Sequence, residues 1–205
     1  MKKIPLTKTL VLLLFVMLMT VAVPVYAKPK TETGTMQTMT LATGEGEKVA
    51  LWREGKIIWD EAMDVEPNTY YEGLGALPWI ELEGATWITY NYEAYAPSDN
   101  SWYIYEKTFD IPGRVVSASM IITADNAYML HVNGRLVGKD GNLFQPITGE
   151  GPLNWQTPET YDLTKALREG SNTVVVYVRN YGMPDGTWQR NPTGLVFNSI
   201  ITYIG

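Results

Sequence analysis

Short apolar runs, separated by turn-forming residues at fairly even intervals, are the feature that most limits how this chain can fold. Only one segment after residue 48 has a helical pattern. Runs of this kind predict an all-β domain. The predicted strands are residues 49–52, 56–59, 86–92, 102–109, 116–124, 128–132, 136–138, 173–180 and 195–204.

Strict alternation of apolar and polar residues indicates that each strand packs one face on a core and turns the other toward solvent. In residues 116–124, Ala118, Met120 and Ile122 alternate with Ser117 and Ser119. Residues 174–179 alternate in the same way, with three valines on one face. Because successive strand residues point to opposite faces of a sheet, one face of each strand is expected to be buried. Two such sheets packed together would form a β-sandwich.

The segment "YMLHVNGRLVG", residues 128–138, predicts a β-hairpin. Asn133 and Gly134 form its two-residue loop, since both tolerate the positive φ that a type I′ turn requires. Asp125 closes the preceding strand, and we expect its side chain to accept hydrogen bonds from backbone N–H groups of the next connection. A structural role is favoured for Asp125 over a catalytic one.

The first 48 residues differ from the rest of the chain. Lys2, Lys3 and Lys8 precede an apolar stretch at residues 10–23, which predicts a cleaved signal peptide over residues 1–27. Residues 28–48 are rich in Thr and Gly and predict a flexible tail. An alternative stays open, because the alternation in "TMQTMTLAT" also suits an extended strand on a sheet edge of this molecule or a neighbour.

Composition limits the partners and the chemistry. The chain has a formal net charge of −6, which becomes about −9 if residues 1–27 with their three lysines are removed. An acidic chain of this kind is unsuited to binding nucleic acid or anionic lipid. After signal cleavage, no apolar stretch long enough to span a membrane would remain. The absence of cysteine excludes disulfides.

One short helical turn is predicted within "YDLTKALREGSN", residues 161–172. Asp162 would be its N-cap, Leu163, Ala166 and Leu167 its buried side, and Gly170 the residue just past its end. Such a turn would close one end of the sandwich.

Five parts of the chain carry a family resemblance through their order and spacing. They are "WYIYEKTFDIPG" (102–113), "SASMIITADNAYMLHVNGRLVG" (117–138), Trp155, "ETYDLTKALREGSNTVVVYVRNYG" (159–182) and "PTGLVFNSIITY" (192–203). Together they resemble the galactose-binding-like jelly-roll domain, which accompanies many glycoside hydrolases and recurs in secreted surface proteins. The likeness covers roughly residues 79–205.

The resemblance implies a jelly-roll β-sandwich of two antiparallel sheets, here assigned to residues 49–205. In that family the ligand contacts come from loops at one end and differ between members. Some members bind sugars, some bind a structural calcium ion, and many only support a neighbouring catalytic domain. The matching positions are mainly scaffold residues, so they specify the fold and not a ligand.

Few residues are suited to catalysis. His131 is the sole histidine and lies in the middle of a predicted strand, where a half-exposed structural role is favoured. Two carboxylates could hydrolyse a glycoside across a cleft, but Asp60, Glu61, Asp64 and Glu66 are expected in a solvated loop. The sequence therefore predicts a non-catalytic protein without a cofactor. A structural calcium ion is left open, at residues 60–66 or at Asp140-Gly141-Asn142.

Aromatic residues in turn-rich stretches are the best functional clue. Sugar rings stack an apolar C–H face on an indole, while their hydroxyl groups need amide and carboxylate partners. The loop "GMPDGTWQRNPTG", residues 182–194, offers both. The predicted ligand-binding residues are Asp185, Trp188, Gln189, Arg190 and Asn191, with Tyr95 from another turn-rich stretch.

These patterns favour a secreted or cell-surface, non-catalytic module that binds a glycan or another surface component. An alternative is a structural subunit of an extracellular filament or surface layer, in which residues 28–48 pair with the sheet edge of a neighbouring molecule. A small glycosidase or lyase is a third hypothesis. The sequence leaves the identity of the ligand and the oligomeric state open.

Overall fold

A computed structural model describes residues 34–44, 46–53, 56–65, 70–71, 75–76, 79–90, 101–144, 154–182 and 192–205. These residues belong to one compact unit, Gly34–Gly205. The predicted signal peptide lies outside the described residues. Within them, no helix has the length and apolar character that crossing a membrane requires.

The described part of the chain is all-β, as predicted, and it contains a single 3₁₀ turn at Asn154–Gln156. The strands are β1 (Met36–Ala42), β2 (Lys48–Arg53), β3 (Lys56–Val65), β4 (Tyr70–Tyr71), β5 (Gly75–Ala76), β6 (Trp87–Tyr90), β7 (Trp102–Ile111), β8 (Arg114–Asp125), β9 (Ala127–Val132), β10 (Arg135–Asp140), β11 (Glu159–Asp162), β12 (Gly170–Arg179) and β13 (Gly194–Ile204).

Two antiparallel sheets form the sandwich. The first has the strand order β10-β9-β12-β7-β2-β3. The second contains β3, β6, β13, β8 and β11 in that order, and β1 also pairs with β13. Among the residues with described positions, the short strands β4 and β5 pair with each other and with no other strand.

Strand β3 belongs to both sheets. Its first six residues pair with β2, whereas Ala62 to Val65 pair with β6. The solvated loop expected for residues 60–66 is therefore wrong through Val65, because this strand continues past Trp59 and crosses from one sheet to the other. On the opposite side of the sandwich, the ring of Tyr161 in β11 lies over Gly138 in β10. The two sheets thus approach a closed barrel.

The main core lies between the sheets and consists of the inward residues of the alternating strands. In β8 these are Ala118, Met120, Ile122 and Ala124, and in β12 they are the three valines at 174, 176 and 178. All of them are buried, as the alternation predicted. The core also contains large aromatic side chains, including Tyr103, Tyr105, Tyr128 and Phe197.

The predicted flexible tail contains an ordered strand. β1 pairs antiparallel with β13 over its full length, from Met36 opposite Ile204 to Ala42 opposite Asn198. Leu41 is buried, and Met39 packs against the core. For this segment the flexible-tail expectation is wrong and the strand alternative is confirmed within one molecule, because the edge of β13 offers free backbone groups and the core accepts Leu41.

The helical turn predicted from Asp162 is shorter than expected. Asp162 is the last residue of β11, and its Oδ1 accepts a 2.8 Å hydrogen bond from the backbone N–H of Thr164, as an N-cap would. The N–H groups of Ala166 and Leu167 both bond to the carbonyl of Leu163. No α-helix follows among the described residues, because the N–H of Arg168 bonds instead to the side chain of Asn172.

The Asn133-Gly134 hairpin is confirmed. Strands β9 and β10 meet at Val132 and Arg135, and both loop residues have positive φ, 51° for Asn133 and 78° for Gly134. The side chain of Asn133 also forms three hydrogen bonds. It donates to the carbonyl of Ala166 and to Oδ1 of Asn172, both at 2.8 Å, and accepts from the N–H of Thr173 at 3.0 Å.

Candidate functional site

The predicted ligand-binding residues lie outside the described residues. This holds for Tyr95 and for Asp185, Trp188, Gln189, Arg190 and Asn191 in the loop between β12 and β13. Their role as a binding loop stays a prediction. The described residues contain a different cluster of aromatic side chains.

The outer face of the first sheet carries a row of apolar and aromatic residues that runs across its strands. Cross-strand pairing sets Met129 beside Tyr177, Tyr177 beside Ile104, Ile104 beside Ala50, and Ala50 beside Trp59. Ala50 itself is fully buried, whereas Trp59 is 48% exposed. Since neighbouring strands are about 4.8 Å apart, Tyr177 and Trp59 are separated by about 14 Å across the sheet. This row, together with Trp102 and Phe144 at one end, is called the aromatic face.

A polar row runs beside the apolar one. His131 pairs with Val175, Val175 with Glu106, Glu106 with Lys48, and Lys48 with Glu61. The imidazole of His131 meets the ring of Tyr177 edge-on at 5.4 Å, which connects the two rows. The sheet therefore presents ring and methyl surfaces in one row, and in the next row mainly polar side chains with Val175 among them.

Trp102 and Phe144 form the end of the aromatic face. Their ring centroids are 6.3 Å apart, and Phe144 is 75% exposed. Behind them the buried guanidinium of Arg179 lies 5.9 Å from the ring of Trp102 and 5.7 Å from that of Tyr181. Its Nη1 also donates to the carbonyl of Asn142. These contacts support the Trp102 ring from the protein side and leave Phe144 facing solvent.

Asp125 lies at one end of the sandwich, in a second apolar cluster. Its carboxylate accepts a 2.8 Å hydrogen bond from Nε1 of Trp79, and the Trp79 ring stacks on Trp87 with centroids 4.2 Å apart. The expected backbone N–H donors are replaced by this indole. Burial raises the pKa of Asp125 to about 7, although the hydrogen bond from Trp79 lowers it.

The neighbours of Asp125 use their polar groups to fix the backbone. The hydroxyl of Thr193 donates to the carbonyl of Asp125 at 2.6 Å, and Oδ1 of Asn126 accepts the N–H of Tyr181 at 2.7 Å. Together with the bond from Trp79 they tie the end of β8 to neighbouring segments, and the structural role of Asp125 stays a prediction.

The residues considered for calcium are arranged as follows. Asp60 and Asp64 lie on β3, and Oδ1 of Asp60 accepts the N–H of Glu61. The N–H of Asn142 bonds to the hydroxyl of Tyr181. Among the described residues, no three Asp, Glu or His side chains come together as a metal site. Glu66 is not among those residues, and a structural calcium ion stays a prediction.

Comparisons with known proteins find partial likenesses to sugar-active proteins. A stretch of 110 residues is 28% identical to part of an alpha-L-rhamnosidase from Streptomyces avermitilis, covering 52% of this chain and 10% of the enzyme. The chain therefore spans about a tenth of that relative. No family model matches the chain, so the galactose-binding-like resemblance stays a prediction.

Solved structures give likenesses of the same partial kind. The Streptomyces avermitilis alpha-L-rhamnosidase complexed with L-rhamnose is 22% identical, with 60% of this chain and 10% of that chain covered and a TM-score of 0.42. The PA14 sugar-binding domain from an RTX adhesin is 14% identical, with 50% and 46% covered and a TM-score of 0.31.

Sequence reasoning missed the aromatic face. Its signal was present in β12, where Tyr177 alternates with buried valines and must face away from the core. Trp59 and Phe144 carried no such signal, because the pairing of Trp59 with Ala50 and the approach of Phe144 to Trp102 depend on strand order.

Proposed function

We propose that this protein is a non-catalytic carbohydrate-binding domain of the exported or cell-surface class, and that it binds a glycan across the aromatic face. The observation that carries the proposal is the cross-strand row of Met129, Tyr177, Ile104, Ala50 and Trp59, with exposed Phe144 beside Trp102 at one end.

The two rows of the first sheet suit the two surfaces of a sugar ring. Ring and methyl groups such as Tyr177 and Ile104 accept its C–H face. Glu106, Lys48 and His131 lie two residues away along their strands, on the same face of the sheet, within reach of hydroxyl groups. The row extends about 14 Å from Tyr177 to Trp59 with the fully buried Ala50 between them, so a glycan along it would contact the exposed side chains on either side of Ala50.

The sequence likeness to part of an alpha-L-rhamnosidase supports a sugar ligand and names the first one to test. L-rhamnose is a deoxy sugar whose methyl group enlarges its apolar surface, and Met129 and Ile104 offer apolar side chains on both sides of Tyr177. Rhamnose-containing glycans are therefore the preferred ligands in this proposal.

A glycan array that includes rhamnose-containing oligosaccharides tests the proposal, followed by titration calorimetry on any ligand found. We expect Tyr177→Ala and Trp102→Ala each to weaken binding about tenfold, which corresponds to the loss of one stacking contact. Ile200→Ala is the matched control, because Ile200 is 55% exposed on the other sheet and its variant should bind like wild type.

Two results would overturn the proposal. One is the absence of binding to every glycan on the array. The other is binding that Tyr177→Ala and Trp102→Ala leave unchanged while Trp188→Ala abolishes it, which would move the site to the loop predicted from the sequence.

A further inference from the structure

Within the part of the chain that the structure describes, the first half of β3 is an open sheet edge. Residues Lys56 to Glu61 pair with β2 on one side. On the other side they have no strand partner among the described residues, since β6 pairs only from Ala62 onward. An open edge presents unpaired N–H and C=O groups and is a template for another strand.

This edge is unusually apolar. Ile57 is 53% exposed, and Ile58 and Trp59 are each 48% exposed. Sheet edges are commonly protected by charged residues within the strand. Here the charges stand only at the two ends of the apolar triplet, as Lys56 before it and Asp60 after it.

The sequence of this edge is complementary to itself when it is reversed. A twofold axis through Ile58 would pair Lys56 with Asp60 of a second copy, Ile57 with Trp59, and Ile58 with itself. Both ends would then hold an ion pair of opposite charges, and the centre would be an uninterrupted apolar ladder. Antiparallel pairs that combine aromatic, β-branched and oppositely charged side chains are favourable.

We propose that the open edge of β3 is a homodimer interface, in which two copies pair residues 56–60 antiparallel and join their first sheets into one continuous sheet. A twofold interface must be self-complementary, and this strand meets that condition in both charge and apolar pattern. A copy of the same chain is therefore the partner that fits this edge.

The orientation of the side chains agrees with this pairing. Ile57 and Trp59 face away from the core, because they alternate with Ile58, which pairs with the core residue Leu51. Ile58 and Asp60 pair with Leu51 and Val49, whose side chains point to the core. Every pair in the proposed dimer thus joins two side chains on the same face, as a β-ladder requires.

The negative net charge favours this edge over the rest of the surface as the place where two copies can meet. Each copy carries a formal charge of −6, so two copies repel over most of their surfaces. The apolar triplet carries no charge, and the ion pairs at its ends offset part of this repulsion. The buried area of one short strand pair is small, so we expect an equilibrium between monomer and dimer rather than a permanent dimer.

Sedimentation velocity and light scattering on the full chain, from low micromolar to submillimolar concentration, measure the result. We expect the mass of wild type to rise toward twice that of the monomer. Ile58→Lys puts an ammonium group beside its own copy at the twofold axis and should hold the protein at monomer mass. Ile200→Lys makes the same change at an exposed strand position on the second sheet and should dimerise like wild type.

A charge-reversal cycle keeps the test independent of folding defects. Lys56→Glu and Asp60→Lys each place like charges opposite one another, so each alone should abolish the dimer. The double variant restores opposite charges and should restore it. Circular dichroism and the melting temperature of each variant report its fold.

Three outcomes would overturn the proposal. They are a wild type that stays monomeric at every concentration, a dimer that Ile58→Lys leaves intact, and a double variant that stays monomeric although it is folded. The glycan test depends on Tyr177 and Trp102, which lie on other strands, so failure of one proposal is distinguishable from failure of the other.

Discussion

The indole Nε1 of Trp79 donates a 2.8 Å hydrogen bond to Oδ2 of Asp125, a carboxylate that is only 4% exposed. This contact joins the segment before β6 to the end of β8. The Trp79 ring also stacks on Trp87, so the carboxylate lies beside two indoles. A carboxylate in such surroundings is costly to ionise.

The Asp125 carboxyl should make the stability of the protein depend on pH. Its pKa is raised to about 7 in the folded state from an ordinary value near 3.8. The folded state therefore holds the proton more tightly than the unfolded state, and the unfolding free energy should fall as pH rises from about 4 to 7. Asp125→Asn keeps an acceptor for Trp79 and should remove up to about 4 kcal/mol of this dependence.

Melting temperatures measured from pH 4 to pH 8 check this expectation. The difference between Asp125→Asn and wild type should grow in favour of the variant as pH rises. A smaller slope should remain in the variant, because burial also raises the pKa of Glu47 and of Glu159. Asp110→Asn at an exposed position is the control, and parallel curves for Asp125→Asn and wild type would contradict the prediction.

Lys107 and Glu47 form a largely buried ion pair. Their Nζ and Oε1 atoms are 2.6 Å apart, and Nζ also donates to the carbonyl of Ala42 at 2.8 Å. Lys107→Met would leave a buried carboxylate without its cation, which should cost about 3 kcal/mol of unfolding free energy. Chemical denaturation at pH 7 measures the loss.

Adding Glu47→Gln to Lys107→Met should recover part of that loss, because the double variant no longer buries an unpaired charge. The argument is wrong if the double variant is less stable than Lys107→Met alone.

Asn133 connects the β9–β10 hairpin to the segment before β12 through three side-chain hydrogen bonds. Asn133→Gly keeps the positive φ of the turn and removes all three, so it should lower the unfolding free energy by about 3 kcal/mol. Gly134→Ala instead strains the backbone at a φ of 78° and should cost about 1 kcal/mol. Equal stability of Asn133→Gly and wild type would show that the turn conformation alone matters.

Gly138 allows β10 and β11 to approach each other. A Cβ atom at this position would lie 2.2 Å from Cε1 of Tyr161, whose hydroxyl group is bonded to Tyr128. Gly138→Ala should therefore displace the Tyr161 ring and cost about 2 kcal/mol. Denaturant titration tests this against Gly205→Ala, where the nearest atom would be 3.5 Å away. A loss no larger than that of Gly205→Ala would show that the ring moves freely.

Strands and their inward faces were predictable because alternation is a local property of the chain. Residues such as Met120 and Val176 are buried where the pattern placed them. The hairpin at Asn133 and Gly134 was predictable for a similar reason, since its φ values depend on two adjacent residues. The ends of strands were harder to predict. Asp162, for example, makes the N-cap contact predicted for a helix, yet it is the last residue of a strand.

Contacts between distant residues were beyond the sequence patterns. The strand Met36–Ala42 became ordered only because β13 offers an edge to it. The hydrogen bond from Trp79 to Asp125 likewise required the segment before β6 to fold across the end of β8.

The sequence by itself determined an all-β domain, its main strands, its sharpest turn and the absence of disulfides, because each follows from short-range periodicity or from composition. Tertiary structure alone decided which outward side chains stand side by side. The row from Met129 to Trp59 crosses five strands whose order is set by long-range packing. Among the described residues, the first half of β3 is left as an edge because β6 pairs with only its second half. Both surfaces depend on strand order, and strand order follows from how the whole core closes.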